Sequence, residues 1–190
     1  MRYSLPFRLL VASFILTFSL SLAGYAQNEN ESDPAAAEAQ SKTDPTLEQY
    51  FVANGAYNRK LYPVAIQQYQ AFLKAHPEHP KGDLARRGLA LSHYASKQYE
   101  EASAPLATLL AKENLDPAIS RERLVMMQGQ CLLITNQKEQ SKALYISEIN
   151  NLKTPAYLNA ALASISDVSF SAGAWDQVVE WTTKLLAANP

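Results

Sequence analysis

The sequence predicts an all-α chain of about four helical hairpins stacked in order, and three observations carry that expectation. Small residues suited to the inner face of a second helix recur at Ala65, Ala102, Ser141 and Val178, at spacings of 37, 39 and 37 residues. Around the first of them, residues 57–77 place small or apolar side chains at helical spacing (Tyr62, Ala65, Tyr69, Phe72) and close on Pro77. Three of the expected helices are preceded by a capping residue and a proline, at Asp44-Pro45, Asp116-Pro117 and Thr154-Pro155. The cap side chain satisfies a free first-turn N–H, and proline has no N–H to lose there. A single hairpin cannot bury its apolar face alone, so such units stack, and eight helices follow.

The first 26 residues differ from the rest. Arg2 and Arg8 flank a polar start, and residues 9–22 form an apolar run without charge, followed by small residues at Ala23, Gly24 and Ala26. This reads as an export signal, with the cut placed before Gln27. The run is short of the roughly 20 residues a membrane-spanning helix needs, so no stable span is expected after cleavage. Loss of Arg2 and Arg8 leaves 15 of the 17 basic residues against 18 acidic ones, a mildly acidic mature chain. Residues 27–46 carry five acids, one base and little that is apolar, and are expected to form a disordered acidic linker.

The body, residues 47–190, divides into repeats at about 47–80, 81–116, 117–153 and 154–190. In the first, helix A is expected from Leu47 to about Asn58 and helix B from Pro63 to Ala75. In the second, Tyr99, Ala102, Leu106 and Leu109 match Tyr62, Ala65, Tyr69 and Phe72, but Pro105 falls where it should either bend helix B or delay its start. The third keeps the small position at Gly129, with Lys138 in place of the aromatic and Ser141 in place of alanine. The fourth restores the pattern with Trp175, Val178 and Leu185, and Trp175 is expected to pack as Tyr62 and Tyr99 do.

Ala65 followed by Tyr69, with Tyr62 three residues before and Pro77 twelve after, resembles the second half of a tetratricopeptide (TPR) repeat. Residues 72–80, followed by Ala85 and Leu89-Ala90, are similar to the repeats of bacterial envelope proteins of the YbgF and BamD type. The resemblance covers the body after Leu47 and implies a TPR solenoid wound as a right-handed superhelix, whose concave groove holds a protein or peptide segment. The chain has no lipobox cysteine and no heptad coiled coil before the repeats, so the fold and binding role carry over, not a pathway. The implied location is the periplasm of a Gram-negative bacterium. Carried over position by position, the groove comprises Tyr50, Asn54, Tyr57 and Asn58 of the first repeat, and Arg87, Leu91 and Tyr94 of the second. Met126, Gln130 and Leu133 follow from the third, and Asp167 and Phe170 from the fourth. Aromatic, amide and guanidinium groups suit a peptide backbone and its apolar side chains.

Chemistry is not expected. A formal charge of -1 gives no basic field for nucleic acid. His76 and His79 lack a third ligand at zinc spacing, Cys131 lies among apolar residues without an evident base, and no phosphate loop, nucleophile elbow or zinc helix occurs. The expectation is a non-enzymatic scaffold or adaptor in envelope assembly or maintenance, with no cofactor and no metal. The alternative starts from Asn189-Pro190, which follows an apolar helix without a polar cap: a self-associating structural module, or the N-terminal part of a longer repeat protein.

Overall fold

The computed structural model describes residues 44–188; the expected export signal and all but the last three residues of the expected linker lie outside them. Those three residues already belong to the helical body. Asp44 Oδ1 accepts from the Thr46 N–H at 2.9 Å and the Thr46 hydroxyl at 2.6 Å, capping a 3-10 turn, Pro45–Leu47, that leads into α1. The same bonds from Thr46, the hydroxyl's foremost, hold the Asp44 carboxyl below the usual carboxylate range.

Eight α-helices follow: α1 (Glu48–Asn58), α2 (Tyr62–Ala75), α3 (Gly82–Ala95), α4 (Tyr99–Leu110), α5 (Arg121–Ile134), α6 (Lys138–Glu148), α7 (Pro155–Ser171) and α8 (Trp175–Ala187). The fold is all-α, its helices packed in consecutive pairs, with no strand among the described residues. The chain divides between Glu148 and Ile149 into two compact units, one holding α1–α6 and the other α7 and α8. Within the first, each helix packs on the next and α1 also meets α3.

The four hairpins close through one turn repeated four times. Lys60, Lys97, Asn136 and Gly173 each take a left-handed backbone, with φ of 61°, 61°, 62° and 72°. The N–H of the following residue bonds five residues back in every case: Leu61 to Ala56, Gln98 to His93, Gln137 to Leu132 and Ala174 to Ser169, at 2.7–2.9 Å. This is the Schellman closure, which satisfies the last carbonyls of a helix and turns the chain back. An aromatic pair spans three of these turns edge-on or tilted: Tyr57–Tyr62 at 5.8 Å, Tyr94–Tyr99 at 5.3 Å and Phe170–Trp175 at 5.3 Å. The third hairpin has Leu133 and Lys138 at those places.

The small positions do what their spacing predicts in the first three hairpins. Ala65, Ala102 and Ser141 are fully buried, and the Ser141 hydroxyl donates to the Gly129 carbonyl at 2.9 Å, which is how a serine replaces alanine there. Glycines let the large aromatics in. A Cβ on Gly88 of α3 would overlap the Tyr69 ring of α2, and one on Gly129 of α5 would overlap the Tyr145 ring of α6. One core cluster joins Leu47, Ala53, Ala65, Tyr69, Phe72 and Leu89; the next joins Ala90, Leu106, Leu109, Ile119, Leu124 and Cys131.

The structure places two features otherwise than the sequence predicts. Asp116-Pro117 does not open α5. Asp116 Oδ1 accepts from the Ala118 N–H at 2.8 Å in a turn, and Ser120, three residues after Pro117, caps the helix, accepting from the Arg123 N–H at 3.4 Å. Trp175 is 53% exposed although its ring stands edge-on to Phe170, whereas Tyr62 and Tyr99 are half-buried. Pro105 does sit inside α4, whose start is not delayed. The carbonyl it deprives belongs to exposed Glu101.

Candidate functional site

The first-helix stripes inferred above run at i, i+4, i+7 spacing: residues 50, 54 and 57 on α1, 87, 91 and 94 on α3, and 126, 130 and 133 on α5. On α1 and α3, which touch, the stripes converge. The Tyr69 hydroxyl, reaching from α2, donates to Asn54 Oδ1 at 2.6 Å, leaving the Asn54 amide N–H groups. Tyr50 packs edge-on to Tyr69 at 6.4 Å and against Phe72 at 5.6 Å, so its ring supports the cluster from below. Tyr57 is half-buried against the same cluster. Burial pushes the Tyr57 phenol up, the neighbouring Tyr62 adds to this, and the Arg87 charge opposes it. Burial also raises the Tyr69 phenol, again against the pull of Arg87. The Arg87 charge thus acts on both phenols, and its guanidinium donates to the Ala118 carbonyl at 3.2 Å, which ties α3 to the loop before α5.

Further along, Tyr94 is pushed up to about 12, by burial first and then by Cys131 and Tyr99. Leu91, Gln130 and Leu133 are half-buried, and Asn58 is exposed at the end of α1. Met126 does not belong to a surface: it is 4% exposed, with its side chain in the core and its carbonyl facing the Tyr145 hydroxyl. Asp167 and Phe170 are half-buried on α7, in the second unit.

The groups assembled on α1 and α3 are neutral phenols, an amide and one guanidinium. They can donate and accept hydrogen bonds and stack on apolar groups, but they do not form a nucleophile with its base. Cys131 is fully buried and burial pushes its thiol up to about 12, which keeps it protonated at neutral pH. His93, 7% exposed, has Nδ1 2.8 Å from Gln98 Oε1 and ties the end of α3 to the start of α4. His79 accepts from the Lys81 N–H through Nδ1 at 3.0 Å, which leaves the proton on Nε2, 3.5 Å from Asp44 Oδ2. It holds the first cap to the end of the first hairpin. No group of three or more potential metal ligands occurs among the described residues.

Sequence reasoning missed Tyr69, whose place in the repeat marks it as core but whose hydroxyl reaches the stripe. It also missed Gln128, buried on the other side of α5 with its amide nitrogen bonded to Ser103. A glutamine at a buried helical position was the available signal. The chain matches no protein-family model, and no curated protein matches it.

Proposed function

We propose that this chain is an exported tetratricopeptide-type adaptor. Its leader is removed on passage to the periplasm, its hairpins wind as a right-handed solenoid, and a partner polypeptide segment is held on the faces of the first helices. The observation that carries this reading is the fourfold recurrence of one turn at 37–39-residue intervals, joined to the cluster of Asn54, Tyr57 and Arg87 that α1 and α3 bring together. A preformed surface of half-buried phenol, amide and guanidinium lowers the ordering cost of binding an extended segment. Among the described residues no helix is long and apolar enough to cross a membrane.

Crosslinking in envelope extract identifies what the chain captures, and two variants test the site. Tyr57→Phe and Gln130→Ala keep the helices and remove hydrogen-bonding groups, each worth about 1 kcal/mol, so the captured partner should bind about fivefold more weakly. Unchanged affinity in both would remove the assignment.

A second reading rests on α8, where Trp175, Val179 and Leu186 are 53%, 61% and 67% exposed. In that reading the chain associates with copies of itself through this helix. Sedimentation at rising concentration separates the two: a sedimentation coefficient that does not move eliminates self-association.

A further inference from the structure

α4 and α6 both pack on α5, and between them lies a cleft of about 520 Å³, open along one side. It is independent of the first-helix faces, because Gln128 on its floor and Gln130 lie two residues apart and so on opposite sides of α5. Every residue lining it is uncharged. Leu110, Leu132 and Leu144 contribute one aliphatic side chain from each of the three helices, and Ser103 and Gln140 stand on the two walls. Gln128 is 7% exposed; its amide nitrogen donates to the Ser103 hydroxyl at 2.8 Å, while its buried Oε1 receives no hydrogen bond from the protein. Turning the amide over only exchanges which half is bonded to Ser103. Buried polar groups in native proteins are almost always paired, so the unmatched half marks a place where a ligand's polar group belongs.

The geometry points to this cleft as a second binding site, for an uncharged stretch of partner polypeptide that sets an aliphatic side chain among the leucines and a backbone amide against Gln128. A peptide group offers both N–H and C=O and so pairs with whichever end of the Gln128 amide is unmatched. Neutral walls disfavour charged ligands, since a carboxylate or ammonium would lose water and find no counter-charge. The volume falls within the range of ligand sites, and the open side lets a chain enter and leave, where a small metabolite would need closer enclosure.

The test is an NMR titration of 15N-labelled protein with the capped dipeptide N-acetyl-Leu-Ala-amide, reading the Gln128 side-chain amide resonances, with N-acetyl-Asp-Ala-amide as the charged counterpart. The leucyl peptide should move those resonances saturably, and the aspartyl peptide should bind at least about tenfold more weakly. Two variants, checked for helicity by circular dichroism and read at the Leu144 or Leu110 methyl groups, guard the result. Gln128→Leu removes the amide with little change of volume, and Leu144→Asp places a carboxylate on the wall. Either should weaken the leucyl peptide about tenfold, whereas Gln70→Leu, exposed on α2 and outside both sites, should not. No saturable shift, equal response to both peptides, or undiminished binding in both cleft variants would overturn the proposal.

Discussion

The hairpin α1–α2 and the hairpin α7–α8 turn in the same way but end differently. Both close through a left-handed residue and a five-residue-back hydrogen bond, and both carry an aromatic pair across the turn. Yet α2 buries Ala65, Tyr69 and Phe72 to 2% exposure or less, whereas α8 buries one large side chain, Trp181, and leaves Trp175, Val179 and Leu186 exposed. The difference lies in what covers the second helix. α3 packs on α2 and lays Gly88 over the Tyr69 ring, so the outer side of the first hairpin becomes an interior. The comparison teaches that a hairpin of this chain is made locally, while its core is made by the next hairpin.

Truncation of one leucine on α4 and one on α8 breaks or sharpens that contrast most strongly. Leu109→Ala in α4, at a fully buried position, should cost about 2–5 kcal/mol. Leu186→Ala, 67% exposed on α8, should stay within about 0.5 kcal/mol. Urea denaturation measures both, and similar losses would show that α8 is covered in solution. A smaller effect is expected where a glycine admits a ring. Gly88→Ala and Gly129→Ala force a methyl into Tyr69 and Tyr145, and should each cost about 1–3 kcal/mol by the same measurement. Gly55, whose Cβ would meet nothing within 4 Å, serves as the control, and Gly55→Ala should hold or raise stability. The smallest effect belongs to the shared turn. Lys60→Gly and Lys97→Gly relieve a left-handed lysine and should raise stability by about 0.5–1 kcal/mol, while Gly173→Lys should lower it by a similar amount. Thermal melts that shift in the same direction for all three would refute the common turn.

The helices were legible to within a residue or two where caps and prolines punctuate them. Pro77 follows the end of α2 by two residues, and Pro155 opens α7. The start of α5 was not, because Asp-Pro serves a tight turn as readily as a helix start, and only Ser120 three residues beyond Pro117 distinguishes the two. The left-handed residues at three of the turns went unread for a related reason: two lysines and an asparagine stand where glycine is the usual signal, and their strain is held by the five-residue-back hydrogen bond of each turn, with an aromatic pair across it at Lys60 and Lys97. At the candidate site, Asn54, Tyr57, Arg87 and Tyr94 are half-buried, but Met126 in the same register is core. Register sets the direction of a side chain on its own helix; it does not set how deeply the neighbouring helices cover it.

The sequence by itself determined that the chain is helical, that it is built of hairpins 37–39 residues apart, and that Ala65, Ala102 and Ser141 face inward, whereas Val178, expected with them, is only half-buried. Helix formation, capping and the 3.6-residue period depend on residues a few places apart along the chain. Only the tertiary structure decided that Gly88 seats Tyr69, that Gln128 lies on a cleft with half of its amide unmatched, and that α8 keeps its apolar side exposed while α2 does not. Each of these is set by which other helix arrives at that surface, a contact between residues distant in sequence that local propensity does not encode.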